Sequence, residues 1–319
     1  MHAPDFWQPG KGGLCAALLS PLGYLYGLAT RTKLATTTAW KSPVPILCVG
    51  NLIAGGAGKT PVAIDLGQRL TAKGKAVHFL SRGYGGTEKG PLRVDAKAHD
   101  YHSVGDEPLL LSHHAPTWVS RERKQGGITA AEAGADLIIM DDGFQNPYIH
   151  KNFSLIVVDG SFGFGNSRLI PAGPLRERVA DGLARADAVV VIGEDRTNIL
   201  ETVAKYGHTA LQARLVPSPL PEDIQGQAVI PFAGIGRPEK FFQTVAGLDC
   251  RIVSPIAFAD HHPYNDTDMA HLLDTAKKSG AQLLTTEKDA CRLPTSFLEN
   301  VTVLGVSLEW NEKEALESL

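Results

Sequence analysis

Six apolar runs, rich in β-branched residues, recur along the first part of the chain and are separated by gaps of helical length. They cover residues 43–50, 76–81, 116–120, 135–141, 153–159 and 186–193. The runs are nearly continuous rather than alternating, which is typical of strands that are buried on both faces of a parallel sheet. Residues 60–74 and 125–134 fit between them as helices. The pattern predicts an α/β fold with a doubly wound, mostly parallel sheet.

A second, shorter α/β series follows a break in this pattern. Residues 209–226 contain three prolines and little periodicity, so we expect a linker there. Further apolar runs lie at 228–234, 250–258, 281–286 and 301–307, with candidate helices at 237–247 and 266–279. The predicted organisation is an N-terminal helical region (1–40), a core domain (41–208), the linker (209–226) and a smaller α/β domain (227–319).

The N-terminal region contains an uncharged stretch, residues 12–30, that is followed by basic residues. A secretory signal is disfavoured because Asp5 offsets Lys11 and leaves no basic start. A spanning helix is at its threshold of length, but Pro21 and several glycines weaken that interpretation. A helix on a membrane surface fits better, because apolar residues recur on one side at helical spacing. That side comprises Leu14, Leu18, Leu22, Leu25 and Ala29. Packing of this helix on the protein's own core is the open alternative.

Composition and charge exclude a few classes of protein. The chain has 319 residues, of which 43% are hydrophobic and 20% charged, and its net charge is −3. Such a chain can bury an extended core, and it has no overall positive charge that would attract nucleic acid. The four cysteines are scattered without a C-x-x-C pair. Their pattern indicates a reducing compartment and neither a disulfide framework nor a zinc site.

The stretch VGNLIAGGAGKTPVAI, residues 49–64, is close to a phosphate-binding loop between a strand and a helix. Gly58, Lys59 and Thr60 complete that motif, but Ile53 stands where its first glycine belongs. We predict nucleotide binding rather than a plain turn, because glycines let backbone amides approach phosphate and the helix dipole favours an anion. Lys59 is expected to contact the outer phosphates and Thr60 to bind Mg²⁺. The predicted nucleotide-binding residues are Gly55, Gly56, Ala57, Gly58, Lys59, Thr60 and Pro61.

Two aspartates, Asp141 and Asp142, lie at the end of the buried run that begins at residue 135. P-loop enzymes hold Mg²⁺ with a second protein group, a carboxylate at the carboxyl end of a core strand. Ligands of open α/β sheets also bind beyond those strand ends. We therefore favour metal contact for this pair. The alternative is an aspartate that stabilises the turn at Gly143.

Two other polar stretches allow more than one interpretation. Asp106 and Glu107 precede an apolar helix, where acids also stabilise the first turn, so catalysis is the less favoured role for them on chemistry alone. His261 and His262 are adjacent, and adjacent histidines rarely point at one metal. A general base, or a residue that orients one, is the better hypothesis for them, and a polar start of a helix is the alternative.

Basic residues follow two further predicted elements. Arg176 and Glu177 come after a Pro-Gly turn, and Arg82 and Tyr84 come after the second strand. An arginine near a transferring phosphoryl group would neutralise developing charge, whereas a solvated salt bridge is equally compatible with the sequence. The stretch TTEKDACRL, residues 285–293, lacks the T-K-x-D order of guanine-specific GTPases, and we discount a guanine-binding role.

These motifs follow one another in the order VGNLIAGGAGKTPV, SRGYGG, GDEP, VSRER, DDGFQ, PAGPLRE, FAGIGRP, ADHH and TEKD. In that order, and over nearly the whole chain, the sequence resembles the tetraacyldisaccharide 4'-kinases, the lipid A precursor kinases of Gram-negative bacteria. GDEP, DDGFQ and PAGPLRE beside the glycine loop form a specific combination. Ile53 is normal in the loop of that family, so the resemblance removes the objection to a nucleotide site.

The resemblance implies transfer of the γ-phosphoryl group of ATP, with Mg²⁺, to the 4'-hydroxyl of a lipid A disaccharide 1-phosphate. It implies that Asp106 is the general base, that His261 pairs with it and that the two domains close. It also implies an N-terminal helix on the cytoplasmic face of the inner membrane. The other implied roles are catalysis by Lys59 and Arg176, metal contacts by Thr60, Glu107, Asp141, Asp142 and Glu177, and substrate contacts by Arg82, Tyr84, Arg123 and Gln145.

Two rival functions are open at this point. A P-loop ATPase of the assembly or partitioning type would act at the membrane without a lipid acceptor, although residues 51–57 lack the lysine that such proteins often carry near the loop start. A membrane-associated binding protein with a vestigial nucleotide site would tolerate replacement of Lys59.

Overall fold

The computed structural model describes residues 4–312 and contains two sheets, one of nine strands and one of five. The strands are β1 (Ile46–Gly50), β2 (Val77–Ser81), β3 (Leu92–Arg93), β4 (Thr117–Val119), β5 (Leu137–Asp141), β6 (Phe153–Asp159), β7 (Ala188–Ile192), β8 (Ala210–Pro217), β9 (Ala228–Ala233), β10 (Arg251–Ile252), β11 (Ile256–Ala257), β12 (Gln282–Thr286), β13 (Val301–Leu304) and β14 (Val306–Trp310). Strands β1 to β8 and β14 form the larger sheet, and β9 to β13 form the smaller one. We call the parts of the chain built on these sheets the large unit and the small unit.

The helices of the described residues vary from a single turn to 24 residues. A 3₁₀ turn (Asp5–Trp7) precedes α1 (Gly13–Thr36), α2 (Lys59–Ala72), α3 (Tyr101–Val104), α4 (Asp106–Ser112), α5 (Arg123–Glu132), α6 (Val179–Leu183), α7 (Ile199–Ala204), α8 (Pro238–Ala246), α9 (Asp266–Ser279), α10 (Glu287–Ala290) and α11 (Thr295–Leu298). Helices α8 to α11 belong to the small unit.

Strand β1 lies inside the larger sheet, whose order is β14-β8-β7-β6-β1-β5-β2-β4-β3. Its strand pairs are parallel except β3 with β4 and β8 with β14. Ile46 and Cys48 pack into one buried layer and Val49 into the other, which explains the nearly continuous apolar runs. The predicted doubly wound sheet is confirmed. The strand order changes direction at β1, and such switch points are where open α/β sheets bind ligands.

The small unit is a second α/β structure, as predicted. Its strands are all parallel, in the order β10-β9-β12-β13 with β11 also paired to β9. Val229 and Phe241 belong to an apolar cluster on one side of this sheet, and Phe232 and Leu272 belong to a cluster on the other. Both faces of this sheet are thus covered.

Three stretches differ from the sequence-based expectation. Residues 210–217, expected within the linker, form β8, because the prolines begin only at Pro217 and the residues before it pair with β7. Residues 301–307 are divided at Gly305 into β13 of the small unit and β14 of the large unit. The run 250–258 is interrupted near Pro255, which lacks an N–H for a ladder, and leaves two strands of two residues.

Helix α1 lies on the large unit with its predicted apolar side exposed. The exposed fractions are 76% for Leu14, 70% for Leu18, 55% for Leu22 and 60% for Leu25. Gly23 is buried, and a Cβ there would lie 2.9 Å from the carbonyl oxygen of Leu169, so the missing side chain permits the close approach. The helix is long and apolar enough to cross a membrane by length and composition alone. Because its leucines are exposed, this side of α1 does not pack on the protein's own core.

Candidate active site

The glycine loop connects β1 to the first turn of α2, as the motif predicts. Gly58 precedes the helix in the left-handed conformation, with φ 84°, and no side chain caps the helix. No atom lies within 4 Å of the positions where Gly55 or Gly56 would carry a Cβ. The N-terminus of α2 is thus uncapped beside a loop with open space around it, which is the arrangement that binds an anion at a helix N-terminus.

Ile53 has a structural reason to replace the usual glycine. Its side chain is buried, and its backbone forms an antiparallel bridge with Leu175. On either side of that bridge, Ala54 N–H donates to the Pro174 carbonyl at 2.8 Å and Arg176 N–H donates to the Leu52 carbonyl at 2.8 Å. The start of the loop thus holds the PAGPLRE segment in place and brings Arg176 to the nucleotide loop.

Asp141 ends β5, the strand next to β1, and contacts the helix that follows the loop. Thr60 Oγ1 donates to Asp141 Oδ2 at 3.2 Å, while Asp141 Oδ1 is buried without a hydrogen-bond partner. Burial and the nearby Glu107 carboxylate raise the pKa of Asp141 to about 7. A buried carboxylate oxygen without a partner is costly unless it has a ligand, so the donor set suits a hard cation.

Asp142 turns away from the strand at φ 50° and pairs with two basic residues. Arg176 donates to its two oxygens at 2.7 and 3.2 Å, and Lys59 Nζ lies 3.7 Å from Oδ1. Burial alone would raise the pKa of Asp142, but Lys59 and Arg176 outweigh it and bring the pKa to about 2. The carboxylate thus holds both cations beside the loop.

The other two acids that we expected at the metal have basic partners in this conformation. Glu177 is buried and accepts hydrogen bonds from Arg185 and, at 3.0 Å, from Gln145 Nε2. Glu107 Oε1 accepts from Lys288 Nζ at 3.0 Å.

Among residues 4–312, no three His, Cys, Asp or Glu side chains form a group that could hold a metal ion. A Mg²⁺ ion here would need phosphate oxygens and water in addition to protein ligands, as is usual for this ion.

Asp106 and His261 come together from different units. His261 Nδ1 lies 2.9 Å from Asp106 Oδ2, and Asp106 Oδ1 accepts from the Glu107 N–H at 2.9 Å. Burial alone would raise the pKa of Asp106, but the hydrogen bond from His261 and the charges of Lys288 and Arg292 lower it below its ordinary value. The carboxylate is therefore held in its ionised form.

His261 is held in a restricted geometry at the edge of the cleft. Its φ is 56°, and its N–H donates to the Gly234 carbonyl at 3.0 Å. The rings of Tyr84 and His261 meet edge to face at a centroid distance of 5.6 Å. His262 points elsewhere, because its Nε2 pairs with Asp268 at 2.9 Å. The two adjacent histidines therefore have different environments, in agreement with the expectation that they do not share a ligand.

A cleft of about 2100 Å³ brings most of the predicted residues together. It is lined by the predicted nucleotide-binding residues from Gly55 to Pro61 and by Arg82, Tyr84, Glu107, Arg123, Asp141, Asp142, Gln145, Arg176 and His261. Asp106 and Glu177 are buried beside it and do not line it. Gln145 donates to the Asn51 carbonyl at 2.8 Å, and burial lowers the pKa of Arg123 to about 10.

The sequence interpretation missed a contact between the small unit and the nucleotide loop. Arg237 donates to the Gly56 carbonyl at 3.0 Å, and both Arg237 and Lys240 form salt bridges with the buried Asp159. A signal was present, because Asp159 ends the core strand β6 as Asp141 ends β5, and FAGIGRP carries Arg237.

The stretch TTEKDACRL also contains residues that contact the site. Lys288 pairs with Glu107, and Arg292 Nε lies 3.5 Å from Asp106 Oδ2. Burial alone would lower the pKa of Lys288, but Glu107 and Asp106 raise it above its ordinary value. Comparison with GTPase motifs could not reveal these contacts, because they depend on how the two units meet.

Comparison with known proteins agrees with this geometry. A family model described as tetraacyldisaccharide-1-P 4'-kinase (LpxK) matches residues 15–319. The tetraacyldisaccharide 4'-kinase of Paramagnetospirillum magneticum is 52% identical over 319 residues, which are 100% of this chain and 98% of the relative. That of Rhodospirillum centenum is 50% identical, covering 100% of this chain and 96% of the relative. A crystal structure of LpxK from Aquifex aeolicus in complex with ATP superposes with a TM-score of 0.74 at 27% identity, over 96% of this chain and 98% of that chain.

Proposed function

The chain belongs to the tetraacyldisaccharide-1-P 4'-kinase family, and from this premise we propose how its cleft performs the transfer. It is an ATP-dependent kinase of lipid A biosynthesis that phosphorylates the 4'-hydroxyl of a lipid A disaccharide 1-phosphate. The relatives do not favour the partitioning ATPase.

The phosphate tail of ATP binds over the glycine loop at the N-terminus of α2. The uncapped helix end, the open space over Gly55 and Gly56 and the position of Lys59 support this assignment. Asp142 holds Lys59 and Arg176 ready beside the loop. Both cations then neutralise the charge that develops on the transferred phosphoryl group.

Thr60 and Asp141 would hold Mg²⁺. The support is the hydrogen bond between them and the unpartnered, buried Oδ1 of Asp141. When bound, Mg²⁺ would neutralise phosphate oxygens and orient them. Asp142, Glu107 and Glu177 act around this position by holding Lys59, Lys288 and Arg185, a change from our expectation that they ligate the metal themselves.

The acceptor hydroxyl binds on the side of the cleft where His261 and Tyr84 meet. Asp106 takes its proton, and His261 fixes the carboxylate and shares that proton. The hydrogen bond between the two side chains carries this assignment, because it places an ionised base of the large unit against a histidine that lines the cleft. Arg82, Arg123, Tyr84 and Gln145 contact the acceptor or its phosphate.

Helix α1 docks on the cytoplasmic face of the inner membrane. The proposed substrate of the enzyme is an amphiphile. The exposed leucines of α1 form an apolar surface next to the cleft, and other residues of α1, such as Tyr26 and Lys33, line the cleft itself. Apolar residues that enter the interface and basic residues that follow them are the features of helices lying on anionic membranes.

The large and small units act as two domains that close on the substrates. Ion pairs between them, Lys288 with Glu107 and Arg237 with Asp159, support this view, as does the fact that the base and its histidine lie on different units. The small domain starts after β8 and ends before β14, so the chain crosses between the domains twice.

An assay with γ-labelled ATP and detergent-dispersed disaccharide 1-phosphate tests the proposed function. We expect Mg²⁺-dependent label on the 4'-position of the sugar and little release of phosphate without acceptor. Rapid ATP hydrolysis that is independent of the acceptor, or labelling that persists in excess EDTA, would contradict the proposal.

A further inference from the structure

We propose that Arg292 positions the base pair of this kinase: it fixes Asp106 and His261 relative to each other from within the small unit. The inference rests on the proposed roles of these two residues. It assigns a role to the TEKDACR stretch, residues 286–292, that neither the sequence motifs nor the relatives' names supply.

Arg292 is buried and holds the backbone next to His261. Its side chain is 1% exposed. Its Nη2 donates to the Gly234 carbonyl at 2.9 Å, and its Nη1 donates to the His262 carbonyl at 3.1 Å. The Gly234 carbonyl also accepts the N–H of His261. One guanidinium thus connects both chain segments that set the left-handed conformation of His261.

The Nε donor of Arg292 lies close to the base. Its Nε is buried, has no hydrogen-bond partner and lies 3.5 Å from Asp106 Oδ2. The same oxygen is bonded to His261 Nδ1. A buried charged donor without a partner is costly, so we assign it to the group that it faces. Movement that shortens this distance would turn the ion pair into a hydrogen bond to the carboxylate.

Asp289 holds Arg292 in this orientation. The fully buried Asp289 accepts from Arg292 Nη2 at 2.7 Å, from Tyr264 Oη at 2.7 Å and from the Gly234 N–H at 2.8 Å. The backbone N–H of Gly234 keeps this carboxylate beside the guanidinium even without the Tyr264 hydroxyl. Lysine could not replace Arg292, because a single ammonium cannot contact two carbonyls and two carboxylates in a fixed plane.

The neighbouring Lys288 extends the contact to the large unit. It pairs with Glu107, the residue after Asp106, so α10 and the residues that follow it contact both acids of the GDEP motif. If these basic residues served only the fold of the small unit, the salt bridge between Arg292 and Asp289 would suffice, and no ion pair with the large unit would be needed. The second contact across the domain boundary indicates that closure and placement of the base are linked.

The experiment compares Arg292→Lys with Tyr264→Phe in the full-length enzyme. Tyr264→Phe removes another hydrogen bond to Asp289 but leaves Arg292 and its contact with Asp106, so it controls for loosening of the small unit. Both variants are characterised by Tm, by the Kd for ATP and by kcat and KM for transfer. We expect Arg292→Lys to lower kcat about 10²-fold, the scale of a small misplacement of a reacting group, with the KM for ATP unchanged. Tyr264→Phe should keep most of kcat.

A third variant and a rescue keep the inference testable. Methylguanidinium should restore part of the kcat of Arg292→Ala without changing the KM for ATP. Equal losses of kcat in Arg292→Lys and Tyr264→Phe at equal Tm would overturn the inference. If Asp106→Asn loses activity and Arg292→Lys does not, only the positioning role fails. Wild-type activity in Asp106→Asn would overturn the proposed base itself.

Discussion

Asp106 Oδ2 and His261 Nδ1 lie 2.9 Å apart, although the two residues are 155 positions apart and belong to different units. The described conformation is therefore one in which the small unit contacts helix α4, which begins at Asp106. A hydrogen bond of this kind forms only when the units meet, so the proposed mechanism requires their closure as well as the residues themselves.

The metal proposal predicts that Thr60→Ala and Asp141→Asn raise the Mg²⁺ concentration required for half-maximal activity. We expect a shift of at least about 10- to 100-fold, the range found when outer-shell partners of metal ligands are lost, because Asp141 Oδ1 is the unpartnered carboxylate oxygen at the loop. The measurement is a Mg²⁺ titration of initial rates at saturating ATP. Thr71→Ala, on the exposed end of the same helix, is the control. An unchanged titration in Asp141→Asn would show that the metal is held elsewhere.

The contact between the small unit and the glycine loop predicts a defect in nucleotide binding. Arg237→Ala removes a guanidinium that donates to the Gly56 carbonyl and pairs with Asp159, so closure over the loop is weakened. We expect the KM for ATP to rise by about tenfold, a change typical of losing a partly buried charged hydrogen bond. Steady-state kinetics and calorimetric ATP binding measure it. Arg251→Ala, an exposed arginine of the same unit, should have wild-type values, and an equal KM in both variants would contradict this prediction.

Helix α1 provides a test of membrane docking. Replacing Leu18 and Leu22 together by Glu removes two exposed apolar side chains, each worth about 1.5–3 kcal/mol when fully buried. We expect at least a tenfold loss of binding to anionic liposomes in flotation assays, with unchanged Tm because neither side chain is buried. Leu273→Glu, an exposed leucine on α9, is the matched control. Equal flotation of all three proteins would leave α1 without a role at the membrane.

His78 makes the stability of the large unit depend on pH. It is buried and accepts a hydrogen bond from Trp118 Nε1 at 3.2 Å, and burial together with the charge of Arg93 lowers its pKa below 6.5. The unfolded chain therefore binds a proton at this residue more readily than the folded one does. The contribution of His78 is complete above pH 6.5 and decreases as the pH falls from there through the lowered pKa.

Urea unfolding of wild type and His78→Asn between pH 5 and 8 measures this effect. We expect a smaller loss of unfolding free energy on acidification in His78→Asn, which cannot titrate at this position. His113→Asn replaces an exposed histidine and should keep the wild-type pH dependence. Identical slopes in His78→Asn and wild type would contradict the assignment.

The sequence predicted those parts of the molecule that local chemistry determines. Continuous apolar runs predicted the parallel strands, and the motif predicted a glycine loop before α2. Ile53 looked like a defect because its reason, a backbone bridge to Leu175, lies more than a hundred residues away. Residues 210–217 were assigned to a linker because the stretch 209–226 contains three prolines and shows little periodicity, whereas the pairing with β7 that makes 210–217 a strand is not visible in the sequence.

In the candidate site, too, the sequence revealed residues that have a local signal and missed those whose partners are distant in the chain. Asp141 was detectable because it ends a core strand, and Asp159 carries the same signal on β6. Arg292 and Lys288 carry no such signal, because their partners lie on the large unit and become neighbours only when the units meet. Contacts that depend on the relative placement of two units are not encoded in any local pattern.

The most direct test of the account is a double-mutant cycle on the pair that connects the units. Phosphoryl transfer to the lipid acceptor is measured for Asp106→Asn, His261→Ala and the double variant, with the Kd for ATP as the binding control. We expect each single variant to lose about 10²-fold or more in kcat, and ATP binding to be retained. If the two residues act as one unit, the double variant will be no slower than Asp106→Asn alone. Losses that multiply in the double variant would contradict the account.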